Sequence, residues 1–138
     1  MKILGYQSGH DVSYCMLNNG IPVIHEELER FTREKEPYGD GLAMAIERLP
    51  DGFLDETDYV VHGNPNDSRT FNNREYVESR GKKIYTIGHH QSHAANAFYS
   101  SKYDEALIVT IDGSGTEKLD FNDIESESGD FSTGFTIW

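Results

Sequence analysis

Cysteine is nearly absent from this chain. Cys15 is the sole one, which excludes an internal disulfide and a cysteine-built metal cluster. It lies in an apolar stretch and reads as a small buried hydrophobe. Basic residues are also scarce: 12 lysines and arginines face 24 aspartates and glutamates, for a net charge of −12. So acidic a chain repels a nucleic-acid backbone, and sequence-independent binding to DNA or RNA is not expected. A small anion remains admissible, because backbone N–H groups and a metal can hold it without lysine or arginine. No apolar run reaches membrane-spanning length, and Met1-Lys2-Ile3-Leu4-Gly5 reads as a strand, not a signal peptide. The expectation is a cytoplasmic protein without membrane contact.

What is there suffices for one compact domain with a core. The chain has 138 residues, 36 % hydrophobic and 26 % charged, enough to fold and too few for two full domains. Lys2 to Gln7, Val12 to Leu17 and Ile21 to His25 read as three strands, the last two joined by the hairpin signal Asn18-Asn19-Gly20. Glu26 to Lys35 is dense in charge, a short helix or a loop. Gly41 to Leu49 carries amphipathic-helix spacing and stops at Pro50-Asp51-Gly52. Tyr59 to Gly63 is a strand, Asn64 to Asp67 a turn and Thr70 to Ser79 a helix. Lys83 to Ile87 is a strand and the alanine-rich Ser92 to Ser100 a helix. Ala106 to Ile111 reads as a strand buried on both faces, closed by a glycine turn at Asp112-Gly113-Ser114-Gly115. Glu117 to Asp130 is an acidic loop, and Phe131 to Trp138 a last strand. An antiparallel meander followed by alternating helices and strands predicts an α/β layer fold.

Gly88-His89-His90-Gln91-Ser92-His93-Ala94 is the strongest chemical signal. On a helix starting near His89, the imidazoles of His89 and His93 lie one turn apart on one face and can share a metal. Asp112, at the carboxyl end of a predicted strand, is the candidate third ligand. The alternative is a polar helix start without a metal. Two glycine turns, Gly5 to Asp11 and Asp112 to Gly115, each follow a buried strand. Gly9, Gly113, Ser114 and Gly115 there are candidate phosphate-binding positions; ordinary turns are the alternative. His10 and Asp11 either contact a ligand or fix the turn. Arg33 and Lys35 either neutralise ligand oxygens or belong to a solvated face. His25 and His62 lie in strands and read as structural.

Four ordered blocks resemble the carbamoyltransferases of the NodU/CmcH type: Lys2 to Gly5 with Ser8-Gly9-His10-Asp11; Glu29-Arg30-Phe31-Thr32-Arg33 with Lys35; His89 to Ala95; and Asp112 to Gly115. The resemblance covers nearly the whole chain and implies an actin/Hsp70-like (ribonuclease H-like) fold. Residues 1–105 would form a first lobe and residues 106–138 the truncated start of a second. It implies a divalent metal, iron or zinc, on His89, His93 and Asp112, with His90 beside the site. Carbamoyl phosphate and ATP would give carbamoyl-adenylate in a YrdC-like domain. The actin-like domain would then pass the carbamoyl group to a hydroxyl of a small-molecule acceptor. His10, Asp11, Arg33 and Lys35 are then the candidate catalytic residues. Glu36 departs from the pattern, which usually has histidine after the lysine. For the missing lobe and YrdC-like domain the alternatives are a truncated gene product, a split version completed by a partner chain that supplies them, or a remnant, and the apolar Phe131 to Trp138 predicts self-association. The rival expectations are a non-catalytic module that binds a partner and a metal-dependent hydrolase.

Overall fold

The computed structural model describes residues 1–63, 73–117 and 131–137, the last of these and 113–117 by their backbone. The helix expected from Thr70 is described from Asn73 onward. The turn at Asn64 to Asp67 and the acidic loop after Glu117 lie outside the described residues. The fold is α/β and divides into two compact units: Met1–Gly63 with Asp67–Tyr85, and Asn64–Asn66 with Thr86–Trp138.

The first unit is built on a five-stranded sheet of order β3-β2-β1-β4-β5. β1 (Lys2–Gln7), β2 (Ser13–Asn18) and β3 (Ile21–Glu27) form the expected antiparallel meander. Asn19 and Gly20 both take positive φ, 50° and 80°. That is the backbone a two-residue hairpin turn requires to match strand twist. β4 (Tyr59–His62) runs parallel to β1 on its other side, with Leu4 opposite Val60, and β5 (Ile84–Thr86) lies beyond it. Alternate residues on one sheet face are buried: Leu4, Tyr6, Tyr14, Met16, Val60 and Ile84. Against them pack α2 (Gly41–Arg48) through Leu42 and Ala45, α3 (Phe53–Glu56) through Phe53 and Leu54, and α4 (Arg74–Ser79) through Val77. Each large aliphatic side chain buried there contributes about 1.5–3 kcal/mol relative to exposure.

Most of the Glu26 to Lys35 segment is a solvated face, with a single helical turn, α1 (Glu29–Thr32). One residue at its start is tied down. Glu26 accepts from Tyr14 Oη at 2.7 Å and Arg48 Nε at 2.5 Å, and the Arg48 guanidinium lies 3.6 Å over the Phe31 ring. Those donors hold the Glu26 carboxyl below its ordinary range. Burial, aided by the Glu26 carboxylate, pushes Tyr14 up to about 12. Cys15 is only partly buried, though burial still raises its thiol. No helix among the described residues is long and apolar enough to cross a membrane.

The second unit contains α5 (His89–Tyr99) and a two-stranded antiparallel sheet of β6 (Val109–Glu117) and β7 (Phe131–Ile137). Two expectations are corrected here. The Ala106 to Ile111 strand begins only at Val109 and is not buried on both faces, since Val109 and Ile111 are exposed. Asp112 to Gly115 does not close the strand; β6 runs through it because β7 continues the ladder on the far side.

Candidate metal site and its surroundings

The second unit brings His89, His93 and Asp112 together, as the spacing predicts. α5 starts at His89 itself, with Gly88 extended before it, so the two imidazoles sit one turn apart. His93 Nε2 lies 3.2 Å from His89 Nε2. Asp112 Oδ2 lies 2.7 Å from His89 Nε2 and 3.4 Å from His93 Nε2. A cation about 2.1 Å from two ligand atoms separates them by about 3.0 Å at a right angle and about 3.4 Å at the tetrahedral angle. The three observed separations bracket that range, and only the hydrogen-bonded pair has to open, by about 0.3 Å. Two imidazole nitrogens and one carboxylate oxygen converge on one point, and neutral imidazole with carboxylate is a donor set that suits a divalent cation, so the residues fit one. His89 is the more enclosed ligand, with 19 % of its side chain exposed against 55 % for His93 and 41 % for Asp112. The open side is the position a further ligand would take.

Asp112 is aimed by an irregularity in the β6–β7 ladder. Ile111 pairs with Phe135 and Gly115 with Thr133. Asp112, Gly113 and Ser114 therefore oppose Gly134 alone, and such a bulge bends the strand and redirects side chains. His90 is fully buried beside His89, with ring centroids 5.6 Å apart, and it is not among the clustered ligands. A groove of about 480 Å³ adjoins the triad, lined by His93, Asn96 and Ala97 of α5, by Ile108 just before β6, and by Thr110 and Asp112 of β6.

Of the other sequence candidates, Gly113, Ser114 and Gly115 lie in β6 of the second unit, and the rest lie in the first unit. Gly9, at φ 97°, sits in a turn clamped to the start of α2. Its N–H donates to the Gly39 carbonyl, and the Gly39 N–H donates back, both at 2.9 Å. In this conformation the Gly9 amide is thus spent within the chain. Ser8 Oγ accepts from Gly41 N at 2.9 Å and donates to Asp40 Oδ1 at 3.2 Å. Asp40 caps α2 by accepting from Leu42 N, and Asn73 Nδ2 donates to its other oxygen at 2.8 Å. A Cβ on Gly41 would lie 2.2 Å from Gln7 O and 2.7 Å from Ser13 O, so only glycine allows this approach. This clamp was not readable in the sequence: the segments it joins lie about thirty residues apart, and the N-cap signal of Asp40 before Gly41-Leu42 was the one local cue.

The clamp presents His10 and Asp11 at the surface. Asp11 takes φ 56°, and its Oδ2 lies 2.7 Å from His10 Nδ1. Arg33 follows α1 in the left-handed conformation and is exposed; Lys35 is 88 % exposed, 3.8 Å from Glu36. His62 is fully buried and stacked on Tyr6, with centroids 4.6 Å apart, as a strand residue of the core face. Burial raises Tyr6 further than it does Tyr14.

No family model matches the chain. It is similar to an uncharacterized protein of Methanocaldococcus jannaschii, with 31 % identity over 115 residues. The shared stretch is 82 % of this chain and 22 % of that protein, so the chain spans about a fifth of the length of the relative it matches.

Proposed function

We propose that the chain is the amino-terminal part of an O-carbamoyltransferase of the NodU/CmcH type, with a divalent cation, iron or zinc, held by His89 Nε2, His93 Nε2 and Asp112 Oδ2. One observation carries the reading: the three residues singled out by two separate sequence blocks converge to within 3.4 Å of one another. The meander with a parallel fourth strand beside β1 is compatible with an actin-like first lobe. Residues 106–138 would then begin a second lobe, completed by further polypeptide that also brings the YrdC-like domain.

The cation, when bound, would supply positive charge to anionic oxygens and polarise the group under attack. The chain's own residues do the rest. His89 and His93 fix the cation from a rigid helix, and Asp112 fixes it from a strand. The Asp11 carboxylate holds the exposed His10 ring through Nδ1, an arrangement that would suit an imidazole taking a proton from an acceptor hydroxyl. Arg33 and Lys35, on an exposed turn without a strong ion pair among the described residues, are cations free to meet carbamoyl or phosphate oxygens. Carbamoyl-adenylate formed by the YrdC-like domain would be the donor, and ATP and carbamoyl phosphate its precursors.

The test is metal analysis of the purified wild type against His93→Ala. About one equivalent of iron or zinc is expected in the wild type and little in the variant. Equal metal content in both removes the proposed site.

A further inference from the structure

The groove beside the triad holds a side chain that the proposed chemistry does not yet use. Asn96 lies seven residues after His89 and three after His93, on the same face of α5. Its backbone carbonyl accepts from Ser100 N and Ser100 Oγ at 3.3 and 2.5 Å, which holds the last turn of the helix. Its carboxamide has no partner among the described residues. Across the groove stand Thr110, nearly buried, and Asp112. Ala97 and Ile108 supply apolar wall, and among the described residues no lysine or arginine lines the space.

That lining selects among ligands. With Asp112 engaged by the cation, the described lining offers no further charge to a phosphate. It offers donors and an acceptor of a carboxamide, which match a neutral group that both donates and accepts, such as a vicinal diol. About 480 Å³ also suits a small molecule of that kind. We infer that Asn96 is a positioning residue: its carboxamide binds the uncharged, hydroxyl-bearing part of a ligand whose other end reaches the cation. This inference rests on the cation site proposed above.

Two probes of equal carbon length test it on the zinc-loaded full chain by calorimetric titration. Gluconohydroxamate and hexanohydroxamate both grip a cation through their hydroxamate oxygens, and only the first carries hydroxyls along its tail. The wild type should bind gluconohydroxamate about three- to tenfold tighter, the span that one or two neutral hydrogen bonds give. Asn96→Ala should lose that preference with its zinc content and its affinity for hexanohydroxamate unchanged. A purely structural role for Asn96 would move both probes together. The same preference in both proteins, or tighter binding of the apolar probe by the wild type, overturns the assignment of Asn96 and leaves the cation site standing. Absence of zinc uptake in the wild type removes the cation site and this inference with it.

Discussion

Replacing Asp112 by asparagine separates a ligand from a structural residue, because the two roles predict different responses to metal. The amide keeps the shape of the carboxylate, and its oxygen can still accept from His89 Nε2, which lies 2.7 Å from Asp112 Oδ2, or its NH2 can donate to that nitrogen. Without metal, the variant should therefore be about as stable as the wild type, since the isosteric amide keeps a hydrogen bond to His89. With metal the two diverge. At a free zinc concentration about 100 times the wild-type Kd, linkage stabilises the folded protein by about 2.7 kcal/mol. Even a change outside the ligand sphere costs about 10–100-fold in metal affinity, so loss of a charged ligand should cost at least about 100-fold. The same zinc concentration then stands near the variant's Kd, and the stabilisation falls to about 0.4 kcal/mol. Urea unfolding followed by far-ultraviolet circular dichroism, with zinc and with chelator, reads both numbers. His25→Ala, at an exposed position of the edge strand β3, is the control that should keep the full zinc response. An undiminished response in Asp112→Asn would refute the ligand assignment, and destabilisation in chelator alone would make Asp112 structural.

Gly41→Ala places a Cβ against two backbone oxygens; it should cost about 3 kcal/mol, the upper end of overpacking costs, and a urea midpoint equal to the wild type would show that α2 does not approach the sheet this closely. Asp40→Ala removes a helix cap and strands Ser8 and Asn73; a loss of about 2 kcal/mol is expected, with Asp40→Asn losing about half because asparagine also caps, and equal losses in the two would argue against capping. Tyr14, whose phenol is raised from 10.0 to about 12, is neutral in the folded protein where the unfolded chain ionises. Its contribution is complete below pH 10 and lost as pH rises from 10 to 12. Tyr14→Phe should flatten that alkaline decline in stability, and an unchanged slope would point to other groups.

The elements that were legible in the sequence were those set by local rules. Asn19-Gly20 dictates its own turn, the apolar spacing of Gly41 to Leu49 dictates α2, and the four-residue spacing of His89 and His93 brings two imidazoles onto one face once α5 starts at His89. The failures have a common physical cause. An apolar run such as Ala106 to Ile111 states a preference for burial and says nothing of whether a second layer is present, and Val109 and Ile111 lie exposed. Glycines at 113 and 115 signal backbone freedom, and they serve a bulge in a continuing strand just as well as a turn that ends one. α3 forms from Phe53 directly after Pro50-Asp51-Gly52 because Phe53 and Leu54 reach the core, a tertiary reward that a stop signal cannot report. The Ser8–Asp40–Asn73 clamp joins residues far apart in the chain, so only the folded arrangement reveals it.

The placement of Asp112 follows from the arithmetic of the ladder. Between the pairs Ile111–Phe135 and Gly115–Thr133, β6 advances four residues while β7 advances two. The excess is even. Side chains alternate faces with a period of two, so the residues beyond the bulge resume the faces they would have had without it. An odd excess would have turned the rest of β6 over. The irregularity thus changes the direction of the chain locally, at Asp112 to Ser114, and leaves the sheet on either side in register. That is the economical way to draw a carboxylate out of a regular strand towards two imidazoles on a neighbouring helix. The local bend also accounts for small residues at the site of the excess.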